Sequence, residues 1–494
     1  MRLAALLAAA ELTPRQVLGD AEAAEVTSIT LDSRAVVPGA LYCCIPGQRF
    51  DGHDFAPAAV QAGATALVCQ RPLELPVPQV VVAAVRSAVG PLAAALYGHP
   101  SRSLTVVGVT GTNGKTTTTA LLEAIFTAGG LPAATIGTLS GARTTPEAPE
   151  LQATLAAFRS EGRVAVAMEI SSHALVQHRV DAIWFAAAIF TNLSQDHLDY
   201  HATMDDYFEA KARLFEPGRA AVAVVNADDP WGQRLLNRLR TQPGGASDNL
   251  AVIPFSLLDL DDLTVRPEGS RFRWRGVEVR LRLGGRFNVR NAVAAATAAA
   301  ALDIDRNAIV AGLEQVEAVR GRFEPVRAGQ PFMVLVDYAH TPDGLQAALL
   351  AARELADGGA GRSHSGRGRV IVVFGAGGDR DQAKRPVMGS VAMQQADVAI
   401  LTSDNPRSED PWAIIAQIAA GAQEGNGKAK LEIEANRAAA IGLALESAEE
   451  HDVVVIAGKG HEIVQEAAGR VIAFDDADVA QRALARIGRD RGTW

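Results

Sequence analysis

The sequence predicts an α/β protein of three domains built on parallel sheets, and three observations carry that expectation. Short apolar runs recur with helical segments between them, the pattern of strands covered by helices on both faces. One run feeds a glycine-rich turn that opens a helix. A block of period-two alternation interrupts the pattern once, in residues 263–283. A chain of 494 residues is also too long for one core, and about 150 residues per domain suggests about three. We place the domains at 1–97, 98–327 and 328–494.

The elements follow in order. Arg2 and the apolar run to Ala10 superficially resemble a short signal peptide, but Leu3, Leu6 and Leu7 sit at helical spacing and Glu11 ends the run. A surface helix is expected. The rest of the first 97 residues reads as short strands and helices with turns at Pro38-Gly39 and Pro46-Gly47. His99-Pro100-Ser101 reads as a linker. A buried strand is expected at 104–109, a helix from Lys115 to Ala128, and further strands at 164–170, 186–190 and 221–225. Phe272, Trp274, Val277, Val279, Leu281 and Leu283 alternate about Arg275-Gly276, a hairpin signal for an antiparallel side sheet. Helices follow at 288–302 and 306–316. A third block places strands at 332–336, 370–374, 398–402 and 453–457. Residues 357–369 are rich in Gly, Ser and Arg and read as a solvated loop.

Composition narrows the function. Hydrophobic residues make up 48% and charged residues 21%, so a large core forms and extended disorder does not. The net charge of -9 and 5% aromatic content disfavour nucleic acid as a partner. No apolar run is long enough to span a membrane. Cys43, Cys44 and Cys69 lack metal-ligand spacing and read as reduced core thiols of a cytoplasmic protein.

The strongest local signal is Gly111-Thr112-Asn113-Gly114-Lys115-Thr116-Thr117. Glycines let backbone N–H groups face phosphate oxygens, and the helix N-terminus adds the positive end of its dipole. Lys115 suits terminal phosphates and the Thr116 hydroxyl suits Mg²⁺. Glu169 ends a predicted strand beside this loop, where a carboxylate can hold Mg²⁺ or form a structural salt bridge. Three other chemistries are excluded. Leu198 stands where a zinc protease needs glutamate between His197 and His201. Asn226-Ala227-Asp228-Asp229 lacks the lysine of a guanine-reading motif. Arg380 replaces the last glycine of a dinucleotide fingerprint. Read from the residues alone, Lys211 is one exposed lysine on a helix, and His197 is a histidine packed in a loop.

The Gly111–Thr117 loop resembles that of the Mur ligase superfamily, which includes folylpolyglutamate synthases. The resemblance extends along the chain. Asp32-Ser33-Arg34, Thr144-Thr145-Pro146, Glu169-Ile170-Ser171-Ser172-His173, Gln177-His178-Arg179, Thr191-Asn192-Leu193-Ser194, Asp337-Tyr338-Ala339-His340-Thr341-Pro342 and Asp404-Asn405-Pro406-Arg407 occur in the family's order. It implies an N-terminal uridine-nucleotide-binding α/β domain, a central ATPase α/β domain of P-loop type with the side sheet, and a Rossmann-like C-terminal domain that binds an amino acid. It implies ligation through an acyl phosphate, with ATP as co-substrate, two Mg²⁺ ions and a CO₂-derived carbamate on Lys211.

The site residues it implies fall in four groups. Asn291, Arg322 and Asp337 join the loop around ATP. Thr116, Glu169, His197 and carbamylated Lys211 hold metal, and Lys115, Glu169, His197 and Lys211 carry the catalysis. Leu31, Ser33, Gln48, Arg49 and Phe50 bind the uridine end of UDP-N-acetylmuramoyl-L-alanyl-D-glutamate. Thr144, Thr145, Ser171, Gln177 and Arg179 bind its muramoyl-peptide end. Arg143 departs from the family's usual Asn. Arg380, Asp404, Asn405, Pro406, Arg407, Gly458 and Glu462 are expected to bind meso-diaminopimelate, because only this amino acid has a second carboxylate for Arg407. A monomer acting on small molecules in the cytoplasm is expected. The alternatives are the same ligase using L-lysine, a folylpolyglutamate synthase, and a nucleotide-gated switch protein without enzymatic activity.

Overall fold

Strands that are apolar on both faces need cover on both faces, and the central sheet shows the outcome. In this computed structural model, which describes residues 1–47, 50–241, 250–266, 269–357, 368–424 and 427–491, six parallel strands form that sheet. Their spatial order is Ala251–Phe255, Ala220–Asn226, Phe185–Phe190, Thr105–Thr110, Ala165–Glu169 and Ala133–Ile136. Thr105–Thr110 is first in sequence yet lies inside the sheet. Later strands add on one side of it and then on the other. Its carboxyl end is therefore the point where the order reverses, the place where open α/β sheets bind ligands.

The helix Lys115–Ala128 leaves that point and buries Leu121, Leu122, Ile125 and Phe126. The helix Arg306–Gln315 packs against it at Gly312, whose missing side chain lets the Ile125 backbone approach. The hairpin forms as expected from Gly269–Trp274 and Val277–Leu281. A third strand, Asp261–Arg266, completes the side sheet; its burial does not alternate, so the sequence pattern missed it.

The N-terminal sheet has five strands, in the order Gln16–Leu18, Gln79–Val81, Ala64–Cys69, Ala40–Cys43 and Ser28–Thr30, with the first antiparallel. The helix Leu3–Ala9 docks on it through Leu3, Leu6 and Leu7, all buried, as their spacing predicts. The three cysteines are free and buried. The predicted linker is instead packed: Pro100 and Ser101 are buried in the turn Pro100–Arg102. The Trp184 N–H donates to Ser101 Oγ at 3.2 Å.

The C-terminal sheet runs Glu324–Pro325, Met333–Asp337, Val453–Ala457, Val370–Phe374, Val398–Leu401 and Lys430–Ile433, parallel except for the first. The two outermost strands were not expected; one is two residues long and the other is only partly buried. The last helix, Asp476–Arg491, is clasped to this sheet by a fully buried ion pair. Arg437 Nε and Nη2 donate to the two Asp476 oxygens at 2.7 and 2.6 Å, and Nη2 also reaches the Ala457 carbonyl at 2.9 Å. Gln48, Arg49 and most of the predicted 357–369 loop lie outside the described residues. Among the described residues no helix is long and apolar enough to cross a membrane.

Candidate functional site

The loop between Thr105–Thr110 and Lys115–Ala128 is shaped by two glycines that no other residue could replace. Gly111 has φ 150°, and a Cβ there would collide with Thr191 Oγ1; Gly114 has φ 87°, and a Cβ would collide with Asn291 Oδ1. The loop is pinned to the neighbouring strand end. Thr112 N–H donates to the Asn192 carbonyl at 3.0 Å and Asn113 N–H to Asn192 Oδ1 at 2.9 Å. Thr191 Oγ1 donates to the Asn113 carbonyl at 2.6 Å. The first-turn N–H groups of the helix, which lack helical acceptors, are thus presented around a fixed hollow, a ready anion site. Lys115 folds over it, donating to the carbonyls of Gly111 at 2.9 Å and Thr112 at 2.8 Å. Burial lowers its pKa, and the Glu169 charge opposes that shift.

Glu169 ends its strand opposite Val109 and is 1% exposed. Its partners among the described residues are polar groups of Thr138 rather than a cation. The N–H donates to Oε1 at 2.8 Å and the hydroxyl to Oε2 at 3.1 Å. The predicted acyl-substrate residues gather beside it. Thr144 and Thr138 hydroxyls lie 3.1 Å apart, and Thr145 Oγ1 donates to the Glu169 carbonyl at 2.9 Å while accepting the Ser171 N–H at 3.0 Å. Arg179 braces the group, donating to the Thr145 carbonyl at 2.8 Å and Gln177 Oε1 at 2.6 Å, and pairing with Glu147 at 2.9 Å.

Lys211 is a correction. The residues alone suggest an exposed helix lysine, and only the resemblance puts it in the site, yet it is 1% exposed. The helix Met204–Ala212 turns it inward, where Nζ donates to the Gly111 carbonyl at 3.0 Å and lies 4.5 Å from the centre of the Tyr207 ring. Its pKa is driven well below the usual lysine value, first by burial and then by the Lys115 charge. Two lysines share one carbonyl in a dry place, which favours a neutral amine on Lys211. His197 adopts φ 54° and sits edge-on to His173, ring centres 4.9 Å apart, with Asp196 Oδ2 3.3 Å from its Nε2.

Across the cleft, Arg322 reaches from the C-terminal part of the chain to donate from Nη2 to Thr116 Oγ1 at 2.9 Å, and its guanidinium lies 4.4 Å from the centre of the Tyr338 ring. Asp337 receives the N–H groups of Phe323 at 2.7 Å and Ala339 at 2.9 Å; burial raises its pKa, opposed by Arg322. A cavity of about 230 Å³ results, lined by the phosphate loop, Thr144, Glu169, His197, Asn291, Arg322 and Asp337. It also contains Thr138, Asp196, Tyr338 and His340, which sequence reasoning did not select. Tyr338 and His340 lie inside a segment that carries the resemblance and Asp196 adjoins His197, so these could have been found; Thr138 carried no signal.

The remaining predicted residues do not line this cavity. Leu31, Ser33 and Phe50 belong to the N-terminal sheet region, where Phe50 is 72% exposed beside Phe55. The predicted amino-acid residues form a separate cluster at the carboxyl end of the C-terminal sheet. Asn405 is held by three contacts. Its amide donates to Glu462 Oε2 at 2.6 Å, and its carbonyl oxygen accepts from buried Lys459 at 3.2 Å and from Glu466 N–H at 3.0 Å. Gly458, at φ 114°, leaves room for the Asp404 carboxylate. Pro406 is buried, and Arg407 follows it at φ 53°. Arg407 Nη1 donates to the Gly378 carbonyl at 2.7 Å. Arg380 is exposed, and a Cβ on Gly377 would lie 3.0 Å from Arg407 Nη1 and 3.7 Å from Arg380 Cγ, so both arginines border that glycine.

The donor set suits magnesium. Thr116 and Glu169, which line the same cavity, offer hard oxygen ligands. Among the described residues no three His, Cys, Asp or Glu side chains form a ready-made metal cluster.

Comparison with known proteins gives the family. Three family models match: the Mur ligase family catalytic domain over residues 25–98, the Mur ligase middle domain over 109–299, and the Mur ligase glutamate ligase domain over 321–460. A UDP-N-acetylmuramoyl-L-alanyl-D-glutamate--2,6-diaminopimelate ligase of Streptomyces avermitilis is 43% identical over 493 residues, covering 93% of each chain. The Syntrophomonas wolfei protein of the same name is 43% identical over 478 residues, covering 93% of this chain and 95% of its own. A solved structure of a ligase of that name aligns at TM-score 0.65 and 31% identity, covering 95% of this chain and 96% of its own. A folylpolyglutamate synthase of Mycobacterium tuberculosis, at 20% identity and TM-score 0.58 over 76% of this chain and 92% of its own, shares the fold. With the nucleotide-type loop, the acid beside it and near-full-length likeness all in hand, the chain belongs to the Mur ligase family.

Proposed function

We propose that this chain joins meso-2,6-diaminopimelate to the D-glutamate γ-carboxylate of UDP-N-acetylmuramoyl-L-alanyl-D-glutamate at the expense of ATP. The observation that carries this reading is the shared cavity. The phosphate loop, Arg322 and Asp337 line it together with Glu169 and Thr144, so residues for nucleotide and residues for acyl substrate face one space. The relatives' name supplies the substrates.

A carboxylate resists attack by amines because it is anionic and its oxide is a poor leaving group. Transfer of the γ-phosphoryl group to it gives an acyl phosphate; the amine then attacks the carbonyl, phosphate leaves and the amine's proton is lost. Lys115 and Arg322 offset charge on the transferring group. Thr116 and Glu169 would hold one Mg²⁺ and His197 a second, each supplying charge neutralisation on phosphoryl oxygens. The Lys211 amine, whose protonation burial and the Lys115 charge disfavour, bonds to CO₂ and loses a proton. The resulting carbamate would reverse the local charge and offer an oxygen ligand to a metal ion. Thr145, Ser171 and Arg179 orient the acyl chain, and Leu31, Ser33 and Phe50 take the uridine end. Arg407 and Arg380 receive the distal carboxylate of the amino acid, with Glu462 available to its ammonium. The use of ATP assigns the work to the cytoplasm, and the chain acts as a monomer.

The test measures phosphate release with purified protein, ATP, Mg²⁺ and the UDP-dipeptide against a panel of amino acids. Release that requires both acyl substrate and diaminopimelate is expected. Release with nucleotide alone supports a switch protein, and equal use of L-lysine removes the diaminopimelate assignment.

A further inference from the structure

The loop that bears Arg407 also bears an acid. Glu409 stands two residues away and is the obvious internal partner for the arginine. The structure pairs it elsewhere. Arg385, at the start of the helix Lys384–Gln395, is fully buried and grips Glu409 with both arms of its guanidinium, Nη1 to Oε2 and Nη2 to Oε1, each at 2.8 Å. The same fork donates to Gln417 Oε1 at 2.8 Å and to the Gly377 carbonyl at 3.1 Å. Glu409 Oε1 also accepts the Asp379 N–H at 2.6 Å, and Asp379 in turn accepts the Ser408 N–H at 3.2 Å and hydroxyl at 2.6 Å. One buried cation thereby ties the 377–380 loop, which carries Arg380, to the 405–410 loop, which carries Arg407.

The consequence for Arg407 is chemical. Among the described residues its Nη1 donates to a neutral carbonyl, that of Gly378, its ion-pair partner is half-exposed Glu466, 3.7 Å from Nε, and its charge also acts on Asp379, which is held by Ser408. A guanidinium so placed keeps its charge available to a ligand carboxylate. A carboxylate on its own loop would act as a tethered competitor at high effective concentration. Among the described residues Arg385 Nε has no acceptor. A buried ion pair adds little net stability against well-packed apolar residues, so stability alone is a weak reason for this arrangement.

We propose that Arg385 is a positioning residue for amino-acid specificity: by engaging Glu409 and the Gly377 carbonyl it keeps Arg407 uncommitted and holds both arginine-bearing loops in register for a dicarboxylic amino acid. This rests on the reading that the 404–407 and 458–462 cluster receives diaminopimelate. Arg385 touches no substrate; it acts through Arg407.

The experiment compares the full chain with Arg385→Gln, Glu409→Gln and the double variant, measuring kcat and KM separately for diaminopimelate and L-lysine with ATP, Mg²⁺ and the UDP-dipeptide. In Arg385→Gln the released Glu409 pairs with Arg407. The KM for diaminopimelate rises roughly tenfold or more, with a smaller change in kcat. The preference over L-lysine falls in step. Adding Glu409→Gln removes the competitor and restores most of that preference, which a merely structural role would not do. An unchanged preference in folded Arg385→Gln overturns the proposal, as does a double variant no better than the single. Should Arg385→Gln fail to fold by circular dichroism, Arg385→Lys keeps the charge but loses the fork; a partial fall in preference, recovered with Glu409→Gln, is expected there, and no fall overturns the proposal. A parent chain that uses both amino acids equally removes the substrate reading and this inference together. A selective parent whose variants match it removes this inference alone.

Discussion

Replacing Gly137 by alanine is expected to silence the enzyme while leaving it folded. Gly137 follows the strand Ala133–Ile136, and its φ lies outside the left-handed region, so the backbone accepts alanine. The obstacle is Glu169. A Cβ at 137 would lie 2.8 Å from both Cγ and Cδ of Glu169 and would overlap Oε1. Glu169 cannot escape into solvent, being 1% exposed, so its carboxylate must leave the Thr138 N–H and hydroxyl. Hydrogen bonds to a charged group are worth about 1.5–3 kcal/mol each. Losing a correctly placed electrostatic group typically lowers kcat by ~10²–10³. The assay is steady-state phosphate release beside a thermal melt, with Gly141→Ala as control, since its Cβ would meet nothing closer than the Arg143 carbonyl at 3.8 Å. A folded Gly137→Ala chain with kcat near that of the parent refutes the argument that Glu169 must stand where it does.

Three further outcomes are expected. Lys115→Ala abolishes phosphate release, a loss of ~10²-fold or more, without changing the far-ultraviolet circular dichroism; near-normal turnover removes Lys115 from the phosphoryl site. Lys211→Ala loses activity that acetate partly restores, and ¹³C-bicarbonate gives a carbamate resonance in the parent that is absent from the variant. A fully active parent without that resonance counts against the modification. Arg407→Ala loses diaminopimelate use by an amount set by a charge left unpaired, about 2–5 kcal/mol, read as the ratio of kcat/KM for diaminopimelate to that for L-lysine. An unchanged ratio sinks the role of Arg407.

The parts of this molecule legible in the sequence are those whose cause is local. The strands Val370–Phe374 and Val453–Ala457 are continuous apolar runs and fall where expected. The helix Lys115–Ala128 begins where its glycine turn ends. Leu3, Leu6 and Leu7 face the core because 3.6-residue periodicity puts them on one side. What stayed hidden depends on partners distant in the chain. Lys211 bonds to a carbonyl 100 residues away, and nothing in its helix announces burial. Arg322 meets Thr116 across 206 positions. Thr138 holds Glu169 through its N–H and hydroxyl, a role open to any threonine in a turn. Gly137 likewise reads as a plain turn glycine until the carboxylate beside it is seen. The strand Asp261–Arg266 escaped because its burial follows no period of two.

The Arg437–Asp476 clasp bears on where this chain can be cut or extended. Arg437 Nη1 also approaches the Ser403 carbonyl at 3.4 Å while Nη2 holds that of Ala457. The guanidinium thus touches the residues just before Asp404 and just before Gly458. A stop codon ahead of residue 476 deletes the acid and strands a fully buried cation between the two loops, a change of the kind that costs about 3–5 kcal/mol. The helix Asp476–Arg491 is no mere appendage to the sheet. It instead supplies the counter-charge of the guanidinium between those two loops, so a fusion partner belongs after this helix and never in place of it.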